Sequence, residues 1–473
     1  MSWPIQKEHR ADAVILATLF LLALITRFLG ISHQSLWIDE GATYYYSQFS
    51  WDQLFSDPEP NSPVFYKMEG VFFELFGRNE LVMRAFSAFT GALTVPLVYV
   101  LCRKISDNIF VSAVAGALML ISPIMIEYGQ EGRGYSAMVF LFVCQAIVLM
   151  YCLEKSGWGC WILLSVLSAL NLTMQYMSML GTLVLYLYAL LYYRKDWMKK
   201  EFGGLLRALA SGMLALAISS PLLAHAFRSF REGASHEHWD WCLVGPDYLR
   251  NLLVNFLFDI DFLILLVFVA AGAYMLLRKD RERGLMICWI TVLPILLTTL
   301  ASFVMNMTPR YVLWSAVGIY IMLACSVLMF SHDDMRGIAR NTAIAGVVII
   351  VLACVCLPPY YSEITKADYR SGAQALEENV QPGDTVVYAP NWENMVYGSL
   401  SFYFDPEEHG AKLYPADSDE TFLWRLSESS GTVYVLIMQD FPPYGLLSGT
   451  GSPACERIYD GYDISVWRVT GPL

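Results

Sequence analysis

Charge is scarce in this chain. Only 16% of its 473 residues are Asp, Glu, Lys or Arg, against about a quarter in a soluble domain. With 56% hydrophobic residues and a mean hydropathy of +0.45, that scarcity excludes an ordinary soluble globular protein. Positive charge is short as well, with a net charge of −12, which argues against nucleic acid as a partner. No repeat of fixed period and no low-complexity tract is present, so solenoids and disordered linkers drop out. The ten cysteines show no metal-type spacing. Among them Cys102, Cys144, Cys288, Cys325 and Cys354 fall in apolar runs, where they read as small core residues. Cys242 and Cys455 lie in outer segments, and whether they pair stays open.

What is abundant is the apolar run of about twenty residues, enough to cross about 30 Å of hydrocarbon as a helix. Such runs occur at 13–32, 80–102, 108–126, 132–153, 158–176, 178–193, 204–224, 257–277, 285–305, 311–330 and 340–358, about eleven in all. The first is too long for a signal-peptide core and lacks a small-residue cleavage site, so it reads as retained. Basic residues cluster in alternate loops: Lys7 and Arg10; Arg103 and Lys104; Lys155; Arg194, Lys195, Lys199 and Lys200; Arg278, Lys279, Arg281 and Arg283; Arg336 and Arg340. The positive-inside rule then predicts a cytoplasmic N-terminus and an extracytoplasmic tail.

The expected organisation is a membrane domain over 1–358 and a soluble domain over 359–473. The first outer loop, 33–79, is long and carries helical signals. In Ser62–Phe76 the residues Phe65, Met68, Phe72, Phe73 and Phe76 lie close to one face, as in a helix lying in the interface. The tail alternates helical and strand patterns: helices near Ala367–Glu378, Asn394–Tyr403 and Glu420–Glu428, with strands at Thr385–Ala389, Lys412–Tyr414 and Thr432–Met438. A final pair of strands lies within Glu456–Val469. That alternation predicts a small α/β domain.

The candidate chemistry gathers outside the membrane. Asp39 and Glu40 follow the first span at once, in Ser35-Leu36-Trp37-Ile38-Asp39-Glu40-Gly41. An acidic pair there can cap the next helix, or supply a general base to a hydroxyl nucleophile. Neighbouring residues diverge on a helix, so the two should have different roles. The turn Gln130-Glu131-Gly132-Arg133-Gly134-Tyr135 faces the same side by topology. Its glycines can bring Glu131 and Arg133 close to a ligand, or the two can form an ion pair at a helix start. Arg310, in Thr308-Pro309-Arg310-Tyr311, can snorkel to lipid headgroups or grip a phosphate with its fork. Arg84, early in the second span, is a similar candidate because charge inside a membrane segment is costly. His236 and His238, with Glu237 and Asp240, could bind a divalent metal, but a solvated polar loop needs no further ligands. A transporter would concentrate ionisable residues near the bilayer midplane. Here Arg27, Arg84, Asp259 and Asp261 lie near span ends, and the carboxylates sit outside.

These motifs, in this order, resemble the C-type glycosyltransferases, in particular the family 39-like membrane proteins related to protein O-mannosyltransferases and the lipid A aminoarabinose transferase. The matching pieces are Ser35–Glu40; Pro63-Val64-Phe65-Tyr66 through Phe76-Gly77 to Arg84 and Ser87; Gln130–Tyr135; Pro309-Arg310-Tyr311; and Tyr369-Arg370 to Gln381-Pro382-Gly383-Asp384. The resemblance implies the GT-C fold and an inverting transfer of one sugar from a polyprenyl-phosphate carrier to a hydroxyl on the outer face. It implies Asp39 as the base, Glu40 and Glu131 shaping the sugar site, and Arg133, Arg310 and Arg84 holding the donor phosphate. Trp37, Tyr66, Tyr135 and Tyr311 belong to the same motifs and would line the substrate pocket. Relatives commonly read His-Pro-Pro where this chain has Asn61-Ser62-Pro63, so that His has no counterpart here. A protein, lipid or glycan acceptor would suit an outward site, in contact with membrane lipid, and metal dependence varies among such enzymes. The competing expectation is a flippase for a polyprenyl-linked lipid, with no transfer chemistry.

Overall fold

The computed structural model describes residues 3–57, 60–155, 157–194, 201–233, 242–258, 262–329, 334–429, 431–439, 441, 443–448 and 455–470. The chain is mainly helical, with one sheet near its C-terminus. Among the described residues, six helices are long and apolar enough to cross a membrane: Arg10–Phe28, Glu80–Ser106, Tyr135–Glu154, Gly203–Arg231, Arg281–Ala301 and Met335–Ser362. Shorter apolar helices occupy Ile109–Ile121, Trp158–Met174, Ser178–Tyr192 and Trp314–Leu328, and Phe262–Lys279 accounts for the eighth expected span. Each predicted span therefore coincides with a helix. The run 108–126 is two helices rather than one, because Ser122 is extended and Pro123 opens a separate turn, Pro123–Glu127.

Helix ends inside hydrocarbon need partners for their free carbonyls. Here side chains supply them. Arg27 donates from Nη1 to the Leu120 carbonyl (2.6 Å) and from Nη2 to that of Met119 (2.9 Å), closing the end of Ile109–Ile121. Gln130 donates from Nε2 to the Arg27 and Leu29 carbonyls (3.0 and 2.7 Å), closing the first span. At the other end of Ile109–Ile121, Asn108 accepts from the Phe110 and Val111 amides. Arg27, an intramembrane charge in the sequence, is thus a helix cap.

The chain divides into two compact units, one of Met1–Leu29, Phe55–Phe65 and Ala85–Tyr361, the other of Gly30–Leu54, Tyr66–Arg84 and Ser362–Leu473. The first holds the apolar core of the membrane helices, from Leu19 to Leu352. The second joins most of the first outer loop to the tail. Sequence pattern had grouped that loop with the membrane helices.

In the tail five strands, β1 (Thr385–Ala389), β2 (Lys412–Pro415), β3 (Val433–Met438), β4 (Cys455–Asp460) and β5 (Ile464–Val469), form one sheet in the order β2-β1-β3-β5-β4. β1 runs parallel to both β2 and β3, and β5 is antiparallel to β3 and β4. β1 and β3 are buried throughout, as expected of strands covered on both faces. One face packs on Tyr369, Ala373, Leu376, Val396 and Leu400, the other on Phe422 and Leu447. The predicted turn before β1 is present: Gly383 has φ +94, and the Asp384 carboxylate accepts from the Gln381 and Thr432 amides. The short helices Pro246–Phe256 and Tyr444–Ser448 had no counterpart in the sequence reading. Among the described residues no disulfide joins Cys242 and Cys455.

Candidate active site

Two clusters of polar side chains are built in the two units. The first belongs to the loop and tail. Ser35, Leu36 and Trp37 run extended into the helix Ile38–Ser47, whose first turn carries Asp39 and Glu40. Acidic residues suit that end of a helix. Here they diverge, as adjacent helical residues must. Glu40 is fully buried, and its carboxylate lies in the fork of Arg84: Nε to Oε1 and Nη2 to Oε2, both 2.6 Å. Lys366 donates to the same Oε2 at 3.2 Å. Asp39, beside Glu40 in the same turn, is 7% exposed.

Arg84 is fully engaged. Besides Glu40, its Nη1 donates to the carbonyls of Ile31 and Gln34 (2.7 and 2.9 Å), and its Nη2 to that of Ser35 (2.9 Å). Every nitrogen of the guanidinium is directed at the loop that carries Asp39. In this geometry Arg84 is a clamp on Glu40 and on three loop carbonyls. Glu40 is equally enclosed.

The helix Pro63–Phe76 adds a residue that sequence reasoning passed over. Glu69 is fully buried, with neither carboxylate oxygen hydrogen-bonded within the described residues. Burial holds its pKa well above the ordinary glutamate value, and the negative charge of Glu40 adds to the effect. The signal was available: an acid among Phe65, Phe72, Phe73 and Phe76 on a helix expected to be an interfacial stripe. Exposure varies along that stripe: Phe65 is buried, Met68, Phe72 and Phe73 are half-buried, and Phe76 is exposed. Tyr66, a candidate pocket residue, is buried and stacked on Tyr46 at 5.3 Å. Trp37 donates its amide to Glu40 Oε2 at 3.4 Å.

The second cluster belongs to the membrane helices. The turn 130–134 is compact, with the Arg133 amide donating to the Glu131 carbonyl at 2.7 Å. Glycine is required at 134, where a Cβ would lie 2.0 Å from the Met174 carbonyl oxygen. Gln130, Glu131 and Arg133 are all buried. Ser87 donates to the Arg133 carbonyl (2.8 Å), and Arg133 Nη2 donates to Asn61 Oδ1 (3.4 Å). Arg310 opens the 3-10 turn Pro309–Val312. Its guanidinium carbon lies 5.6 Å from the ring centre of Tyr135 and 6.0 Å from that of Tyr311. Tyr128 packs edge-on against Tyr135 at 5.3 Å. Burial raises the Tyr128 pKa well above its usual value; the charges of Glu127 and Glu131 add to this and Arg310 opposes it. The structure therefore brings Glu131, Tyr135 and Arg310 into one neighbourhood. Arg310 thus places a positive charge beside two aromatic rings, with the Glu131 carboxylate nearby.

His236 and His238 lie outside the described residues. Among the described residues no group of three or more His, Cys, Asp or Glu side chains could hold a metal ion.

Residues 59–225 match the family model of dolichyl-phosphate-mannose-protein mannosyltransferase. No curated protein sequence matches the chain. Among solved structures, ArnT from Cupriavidus metallidurans in the apo state superposes with a TM-score of 0.65 at 15% identity, covering 98% of this chain and 100% of that one. The same protein bound to undecaprenyl phosphate gives 0.64 at 14% identity, covering 97% and 99%. The S. cerevisiae protein O-mannosyltransferase Pmt1-Pmt2 complex bound to the sugar donor gives 0.35 at 16% identity, over 47% of this chain and 33% of that one. The resemblance read from the motifs is thus met independently by the family match and by the fold: this chain has the GT-C fold of the ArnT structures along nearly its whole length.

Proposed function

We propose that this protein is an inverting glycosyltransferase that moves one sugar from a polyprenyl-phosphate carrier to a hydroxyl acceptor on the extracytoplasmic face of a membrane, with its N-terminus cytoplasmic and its tail outside. The observation that carries the reading is the buried acidic pair in the first turn of the helix Ile38–Ser47. Glu40 is neutralised by Arg84 and Lys366, and Asp39 beside it is buried in the same turn. The match to the mannosyltransferase family model and the likeness to an ArnT bound to undecaprenyl phosphate support a polyprenyl-linked donor.

In this reading Asp39 takes the proton of the acceptor hydroxyl. The acceptor oxygen then bonds to the anomeric carbon as the bond from that carbon to the phosphate oxygen breaks. The electron pair leaves with the polyprenyl phosphate. Negative charge grows on that phosphate, and preorganised cations are the largest aid available there. Arg133 and Arg310 are assigned to it, Glu131 to the sugar hydroxyls, and Tyr135 and Tyr311 to the walls of the pocket.

The test is transfer of radiolabelled sugar from a panel of polyprenyl-phosphate sugars by purified protein, with total membrane extract as acceptor. Labelled product from wild type and none from Asp39→Asn would support the assignment. Lipid binding without transfer from any donor would replace it with lipid translocation.

A further inference from the structure

The tail has a second role to account for: what an α/β domain is doing on the same unit as the Asp39 helix. In its sheet, the chain leaves β1 on one side to reach β2 and returns on the other to form β3. The carboxyl ends of β1 and β3 therefore form a topological switch point, the position where open α/β sheets take their ligands. From the end of β1 the chain runs through Pro390 and Trp392 into the turn Glu393–Tyr397 and the helix Gly398–Tyr403. What lies against this turn and helix is the protein's own helix Ile38–Ser47.

The crossing is backbone on backbone. A Cβ on Gly398 would stand 2.3 Å from the Gly41 carbonyl oxygen, and one on Gly41 would stand 2.4 Å from that of Met395. Hydrogen bonds surround the crossing. Ser399 Oγ donates to the Trp37 carbonyl (3.3 Å), and Asn394 Nδ2 donates to the Tyr46 hydroxyl (2.9 Å). The Tyr403 hydroxyl accepts from the Leu36 amide and donates to Glu80, both at 2.9 Å. Gln34 Oε1 accepts from the amides of Thr365 and Lys366 at 2.8 and 2.9 Å. Lys366 continues to Glu40. These contacts bracket Asp39 on both sides along the chain.

We infer that the tail is a positioning domain: the crossing at Gly398 and the Lys366–Glu40 bond set the height and rotation of the helix that presents Asp39. The inference rests on Asp39 acting as the base. It also gives the switch point to an internal occupant, the first-loop helix, rather than to an acceptor. Gly398, Tyr403 and Lys366 are positioning residues that act through the helix and not on the substrate.

The experiment uses the full-length protein in detergent or nanodiscs. Gly398→Ala should speed hydrogen exchange of the amides in 38–47 and lower kcat roughly ten- to hundredfold, the scale of a misplacement near 1 Å, while donor KM stays within about twofold of wild type. Lys366→Gln, which leaves the crossing intact, should lower kcat at unchanged KM, and Lys366→Arg should restore it. Phe422→Leu, on the opposite face of the sheet, should lower tail stability without changing kcat. A folded Gly398→Ala with wild-type kcat, or Lys366 variants that alter KM alone, would overturn the inference. Faster exchange in 38–47 together with no transfer by wild type would sink the base assignment and leave the packing role standing.

Discussion

Arg84 holds Glu40 by two matched bonds, Nε to Oε1 and Nη2 to Oε2, each 2.6 Å. Both residues are almost wholly buried, at 2% and 0% exposure. A buried pair of this kind is weak evidence for stability as such, but removing one partner strands the other. Arg84→Ala is therefore expected to destabilise the protein by about 3–5 kcal/mol. Thermal unfolding in detergent measures the loss. Because Arg84 is directed at the loop, the folded fraction should keep its donor KM; a large rise in KM with an unchanged melting point would return Arg84 to the phosphate.

Asp39→Asn keeps size and helix position and removes the base. A general base contributes about 10²–10⁴-fold, so kcat should fall by at least about a hundredfold with the melting point unchanged. Transfer at near wild-type rate would leave Asp39 as a helix cap only.

Arg310 is assigned to charge that appears only as the phosphate leaves. Removing one preorganised contact of that type costs about 3–4 kcal/mol of transition-state stabilisation. Arg310→Ala should show this as a fall in kcat/KM for transfer from a purified donor lipid. An effect confined to association with membranes would instead identify a residue that snorkels to headgroups.

Glu69 gives a pH dependence whose sign follows from its burial. Its folded pKa lies well above the ordinary glutamate value. The stability linked to its proton is present below the unfolded pKa and is lost as pH rises towards the folded value. Glu69→Gln has no proton to lose. The variant should gain on wild type as pH rises, by up to about 1.4 kcal/mol per unit. Melting points of both proteins, compared from about pH 5 to about pH 8, test this. Parallel curves would show that Glu69 is ionised in the fold.

The membrane helices, the tail's alternation of helix and strand, and the acidic pair were legible in the sequence. Hydrophobic length and residue periodicity are local properties, and the bilayer and the sheet each select for them directly. The break at Pro123 was legible too, had the proline been weighed against the apolar run. What only the tertiary structure decided was which cation meets which carboxylate. Arg84, Arg133 and Arg310 look alike as isolated charges near span ends. Yet Arg84 is held by Glu40 and three carbonyls, Arg133 reaches Asn61, and Arg310 lies by Tyr135. Glu69 and Lys366 gained their meaning only from residues distant in sequence. The joining of the first loop to the tail was equally invisible, because it depends on Gly41 and Gly398 meeting without side chains. Spans follow from the composition of a single segment, whereas ion pairs and backbone crossings need two segments within a few ångströms, and that is fixed by packing.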